Sequence, residues 1–126
     1  NRHKILYSLE QGILLTPRSP TDTWNMWHQA HIDEILNRLL QNMIAGSKIN
    51  PNKVFLLGYS AGGDGVYQLA PRMADRFAAA SMSAGHPNDA SPLGLRNIGF
   101  SIHMRIEGTR YRTQRKITSL RKVKME

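Results

Sequence analysis

Lys53-Val-Phe-Leu-Leu-Gly58-Tyr-Ser-Ala-Gly-Gly-Asp-Gly-Val66 is the stretch on which the fold turns. Residues 53–58 are apolar after the lysine and do not alternate with polar residues. That is the pattern of a strand in a parallel sheet covered on both faces. Val66, Leu69, Ala70, Met73, Ala74 and Phe77 then recur at helical spacing. Pro71 should kink that helix or limit its first segment. Between strand and helix there is only a glycine-dense turn, so the chain must reverse within a few residues.

The same alternation extends in both directions along the chain. Upstream, Gly12-Ile-Leu-Leu-Thr16 is a short apolar run closed by Pro17 and Pro20, which reads as a buried strand entering a loop. Thr21, Asp22 and Thr23 offer N-caps for a helix with apolar residues from Trp24 and Trp27 through Ile32, Leu36 and Leu40 to Ile44, stopped by Gly46. Downstream, residues 78–84 are small and apolar and predict a third strand packed closely under a helix. Residues 85–97 carry Pro87, Pro92 and Gly94 and read as a loop, and residues 98–104 predict a fourth strand. The expected class is α/β, with a mostly parallel sheet of about four strands flanked by helices and joined by right-handed crossovers.

The 126 residues fit one domain. With no Cys, the chain has no disulfide framework, thiolate metal site or thiol nucleophile. It has no apolar run long enough for a transmembrane helix, and the opening residues do not read as a signal peptide. A cytoplasmic location is expected. Asn1 in place of Met reads as an excerpt or a processed product. The net charge of +8 is concentrated at one end, where residues 105–126 hold eight bases against two acids. Residues 1–104 are therefore read as an ordinary body, and 105–126 as a basic tail, irregular or forming a short helix. Ile117, Leu120 and Val123 have partial helical spacing, which would suit nucleic acid or an acidic membrane surface. The ordinary reading is a solvated tail, and no specific nucleic acid partner is expected.

Gly58-Tyr59-Ser60-Ala61-Gly62 is a G-x-S-x-G pentapeptide. The pattern alone is weak, but here it lies between a buried-strand pattern and a helix pattern, the context of a nucleophile elbow. Such a turn requires glycine two positions either side of the serine, where a side chain would strike the neighbouring strand or helix. Ser60 would then present its hydroxyl at a helix N-terminus, where backbone N–H groups favour a developing oxyanion. The competing reading is a plain Gly/Ser turn or a phosphate-binding turn. No Lys stands at the spacing of a P-loop, and G-x-G-x-x-G is not matched.

The run from Gly58 to Phe77 resembles the nucleophile region of bacterial α/β-hydrolases of the serine esterase, prolyl-oligopeptidase-like and polyhydroxyalkanoate-depolymerase-like branches. Thr16-Pro-Arg-Ser-Pro-Thr-Asp-Thr-Trp-Asn-Met-Trp-His28 and Ser83-Ala-Gly-His-Pro-Asn-Asp-Ala-Ser-Pro-Leu-Gly-Leu-Arg-Asn97 are similar to the same group, so the resemblance covers about residues 12–104. It implies a partial α/β-hydrolase-like core with Ser60 as nucleophile and the N–H of Ala61 as an oxyanion donor. The implied reaction is cleavage of carboxylic esters, or amides behind them, through an acyl-serine. No cofactor and no metal is implied. The chain also departs from the pattern. Where the family's acid follows the last strand, this sequence reads Arg105-Ile-Glu-Gly-Thr-Arg110, and no His follows His103. Truncation with a frame change near Arg105 would account for the abrupt change of charge. The expectation is an inactive or weak hydrolase. The alternative is a non-catalytic fragment or a binding protein acting through its basic tail.

Tyr59, Arg18 and His86 are further candidates to line the site, each at or just beyond the end of an expected strand. His86 lies out of order for the triad base, and a loop-stabilising role is preferred. His28 and His31, with Glu34, share a helix at ligand-like spacing, but a solvated or hydrogen-bonded face is the simpler reading. Trp24 and Trp27 are read as packing anchors, and His103 as a satisfied strand histidine. Asp64 is read as complementing the helix dipole, and Asp75 and Asp89 as acids without a visible partner. Oligomers through exposed sheet edges are allowed by the pattern.

Overall fold

A computed structural model describes residues 9–104. The expectations for the basic tail, 105–126, lie outside the described residues. Three parallel strands form the sheet: β1 (Phe55–Tyr59), β2 (Ala79–Ser83) and β3 (Gly99–His103), in the order β1-β2-β3. Helix α1 (His31–Ser47) precedes β1, and α2 (Ala61–Arg72) connects β1 to β2. This is a partial α/β fold, a parallel sheet flanked by helices. Among the described residues there are three strands where about four were expected.

The missing strand is the one expected at residues 12–16. That run is irregular, and Ile13 and Leu15 are 56% and 45% exposed. An apolar run becomes a strand only when a neighbour completes its hydrogen-bond ladder, and none lies beside this one among the described residues.

The first helix also differs from expectation. Met26–His28 form a single 3-10 turn, Gln29 is extended, and the α-helix begins only at His31. Packing decides this. Trp27 lies against α2 at Gly65, where a Cβ would fall 2.5 Å from the Trp27 Cβ. Trp27 is therefore an anchor, whereas Trp24 is 83% exposed and anchors nothing. At the other end the helix runs past Gly46 to Ser47, and Lys48 takes the left-handed capping position with φ 52°. Pro71 sits in the last turn of α2, which closes at Arg72. There the proline limits the helix instead of kinking its middle.

The strand register sets Phe55, Ala79 and Gly99 side by side, then Leu57, Ser81 and Ser101, then Tyr59, Ser83 and His103. Residues alternate between the two faces of a sheet. The intervening set, with Ala80, Met82 and Phe100 buried, meets α2 through Val66, Tyr67 and Ala70. The Tyr67 and Phe100 rings lie 5.6 Å apart in a tilted arrangement. Ile32, Leu36 and Leu40 of α1 extend the same core. The other face is not covered by the described residues, where Phe55, Leu57 and Tyr59 are 60%, 43% and 52% exposed. The two-sided burial expected from the apolar β1 sequence is thus met on one side. No helix among the described residues is long and apolar enough to cross a membrane.

Candidate active site at the β1–α2 turn

Ser60 is the single residue between β1 and α2. Its backbone has φ 56° and ψ −121°, a region L-residues seldom occupy, and the residue is exposed. Two backbone bonds hold it there. The Ser60 N–H donates to the Ser83 carbonyl at 3.0 Å, and the Ser60 carbonyl accepts the Asp64 N–H at 3.0 Å. The first bond ties the turn to the carboxyl end of β2, and the second starts the helix. The N–H groups of Ala61, Gly62 and Gly63 precede that first intrahelical bond, so the leading donors and the positive end of the helix dipole lie at the residue that follows Ser60.

The glycines show why the chain can turn so sharply. A Cβ on Gly58 would fall 2.1 Å from the Gly62 carbonyl oxygen and 2.7 Å from a Val66 methyl, so only glycine fits. Gly62 is different: a Cβ there would meet nothing within 4 Å. The requirement for glycine at both flanks of the pentapeptide therefore holds at Gly58 alone. The second close approach is made by Gly63, where a Cβ would lie 2.7 Å from the Ser83 carbonyl oxygen and 3.1 Å from the Gly85 backbone. The helix start is pressed onto the end of β2, so the residue facing that strand must be small.

Tyr59 ends β1 and is exposed beside Ser60, and Ala61 opens α2 half-buried. His86 stands just beyond β2, half-buried, and its backbone N–H donates to Asp64 Oδ1 at 2.6 Å. The imidazole Nδ1 is 3.6 Å from the same oxygen. Asp64 therefore does more than complement a dipole, because it joins α2 to the loop after β2. Arg18 is exposed in the irregular segment before α1 and makes no hydrogen bond or ion pair among the described residues. It is not brought to the turn by any such contact.

Gln68, Arg72, Asp33 and Asp89 form a polar network that periodicity did not reveal. The buried Gln68 donates from Nε2 to Asp89 Oδ1 at 2.8 Å and to the Pro87 carbonyl at 3.4 Å. Arg72 Nη1 donates to Gln68 Oε1 at 3.3 Å and to the His28 carbonyl at 3.1 Å, and the guanidinium grips both Asp33 oxygens. The Gln68 hydrogen bond and then the Asp89 N–H hold the Asp89 carboxyl below the usual carboxylate range, outweighing desolvation, with the charges of His28 and Arg72 adding smaller contributions in the same direction. Asp89, read as unpartnered, is thus the anchor of the loop, while Asp75 pairs with the neighbouring Arg76 at 3.5 Å. The only sequence signal for the network was the i, i+4 spacing of Gln68 and Arg72.

A recess of about 300 Å³ is lined by Gln68, Pro71, Arg72, Asp89, Ala90, Ser91 and Gly94. It lies along the second half of α2, more than two helical turns from Ser60. His28 and His31 do not share a helix, since the extended Gln29 separates the 3-10 turn from α1. Among the described residues no group of three or more His, Asp or Glu side chains is gathered to hold a metal ion.

Comparison of the chain with protein-family models, with curated proteins and with solved structures found no match.

Proposed function

We propose that the chain is built for acyl transfer through Ser60, as a serine hydrolase of the α/β-hydrolase type acting on carboxylic esters or amides. The observation that carries this reading is the backbone of Ser60. At φ 56° and ψ −121° it stands exposed between the carboxyl end of a parallel strand and the N-terminus of a helix. Ligand sites gather at the carboxyl ends of parallel strands. A serine relaxed into a helix or an ordinary loop would carry no such strain, and strained backbone clusters where a side chain must be presented.

In this reading Ser60 Oγ attacks the acyl carbonyl, and the leading N–H groups of α2, with that of Ala61 first, stabilise the oxyanion. Tyr59 and His86 border the reacting centre. The fold shown is the coarser α/β arrangement, and its assignment to the hydrolase type belongs to this proposal. Exposure of the chain to a fluorophosphonate probe, followed by peptide mass analysis, is the test. The expected product is a single adduct on Ser60, lost in Ser60→Ala and lost on prior unfolding. Adducts spread over other serines, or unchanged in Ser60→Ala, would reject the reading.

A further inference from the structure

β1 is bonded on one side only among the described residues. The Ala78 N–H donates to the Val54 carbonyl at 2.8 Å, and the Ser60 N–H donates to the Ser83 carbonyl at 3.0 Å. In a parallel ladder every second residue turns both of its backbone groups to the same neighbour. Val54, Leu56, Gly58 and Ser60 therefore face β2, while Phe55, Leu57 and Tyr59 turn their N–H groups and carbonyls outward. Among the described residues none of those outward groups has a hydrogen-bond partner. The same three residues carry the exposed side chains on the sheet face that α2 leaves uncovered. The β3 edge is different. The Ala84 N–H donates to the His103 carbonyl at 3.0 Å, so Gly99, Ser101 and His103 face β2. Phe100 and Ile102 turn outward there, and they are buried and half-buried.

We propose that the outer edge of β1 docks a second copy of this chain, antiparallel, about a two-fold axis between the two Leu57 residues. The proposal does not depend on the role of Ser60. About that axis Phe55 lies opposite the partner's Tyr59, Leu57 opposite the partner's Leu57, and Tyr59 opposite the partner's Phe55. Residues so placed in an antiparallel pair exchange both N–H···O bonds, so every outward group on both edges is satisfied. A parallel pair would offset the outward residues of one strand by one from those of the other. Two identical edges cannot do that symmetrically.

The side chains agree with the backbone. Phe55 and the partner's Tyr59 form a cross-strand aromatic pair on the uncovered face, repeated on the other side of the two leucines. The apolar row of β1 thus continues across the axis. β1 holds no charged residue, so no like charges meet along the strand pair. The contact is one five-residue strand, about 17 Å long, far short of the area that holds permanent dimers. The dimer is therefore reversible and dissolves on dilution. It sets the partner's Phe55 beside Tyr59, next in sequence to Ser60.

The chain has no Cys, so single introduced cysteines report the register. In a hydrogen-bonded antiparallel pair the Cα atoms lie about 5.5 Å apart, within reach of a disulfide. Under copper-phenanthroline oxidation, Leu57→Cys should give a disulfide dimer on a non-reducing gel. Phe55→Cys should not join itself, because the two copies of that position lie about 14 Å apart along the strands. An equimolar mixture of Phe55→Cys and Tyr59→Cys should give the crossed dimer. Leu57→Pro removes an N–H that faces outward and none that bonds β2, a change edge strands tolerate. It should keep the circular dichroism of wild type and sediment as a monomer where wild type associates. Phe55→Cys joining itself as fast as Leu57→Cys, or undiminished association of folded Leu57→Pro, would overturn the proposal. Wild type that stays monomeric at every concentration, with Leu57→Cys left unjoined, would overturn it as well.

Discussion

At the residue scale, the pentapeptide separates into positions with different physical duties. Gly58→Ala drives a methyl group into the Gly62 carbonyl, and backbone cannot move aside cheaply. A loss of about 3 kcal/mol is expected in urea unfolding. Gly62→Ala meets open space and sits in the first turn of a helix, so it should be neutral or stabilising by up to about 1 kcal/mol. Equal losses at both positions would contradict the geometry. Ser60→Gly should raise the unfolding free energy by about 1 kcal/mol, since glycine adopts φ 56° without the steric cost that serine bears. That gain would come with complete loss of fluorophosphonate labelling. Ser60→Ala loses labelling without the gain, because alanine keeps the Cβ that makes the conformation costly.

At the scale of elements, α2 is the organiser, since it packs the core with one side and fixes the loop after β2 with Asp64 and Gln68. Gln68→Ala would remove the amide that donates to the Asp89 carboxylate, leave the Pro87 carbonyl with the Ala90 N–H alone, and open a void beside Arg72. A cost of about 2 kcal/mol is expected in chemical denaturation. The same contact makes stability depend on pH. The folded state holds the Asp89 carboxyl below its ordinary value, so the ionised form favours folding. That contribution is present above the unfolded-state value and is lost as pH falls through the lower folded value. Unfolding midpoints measured from neutral pH to below the carboxylate range should therefore decline less steeply in Asp89→Asn than in wild type.

The element scale also shows what periodicity could and could not reveal. The strand at β1, the turn and the helix at α2 were legible because a continuous apolar run, a glycine cluster and a 3.6-residue period follow one another without a gap. β2 and β3 were legible to within a residue or two at their ends. The run at residues 12–16 had the same apolar character yet forms no strand, because strand identity depends on a neighbour supplying the ladder. The helix expected from Trp24 breaks at Gln29, because Trp27 is drawn against Gly65. Local spacing contains no information about that contact, which joins residues far apart in the chain.

At the scale of the whole molecule, the sheet is finished on one face and open on the other among the described residues. Phe55, Leu57 and Tyr59 lie exposed along β1, an edge strand with no charge or proline within it. Exposed apolar edges favour pairing with another chain. Leu57→Lys should leave the α2-facing core intact and lower self-association in sedimentation velocity at matched concentration. An unchanged sedimentation profile, with wild type itself associating, would place the contact elsewhere. The core behaves in the opposite sense. Met82, on the α2-facing side of β2, is fully buried, and Met82→Ala should cost about 2–5 kcal/mol.

Local pattern and composition were enough for the strand–turn–helix unit around Ser60, the α/β class and the exclusion of thiol chemistry, because each depends on residues adjacent in the chain or on composition alone. It took the packing of α2 on the sheet to make Gly63, and not Gly62, meet β2, to leave Trp24 exposed while Trp27 packs, and to bring Asp64 to His86 and Gln68 to Asp89. Those outcomes rest on contacts between segments some twenty to forty residues apart. Distances of that kind are set by how a helix lies on a sheet. No periodicity read along one segment records them.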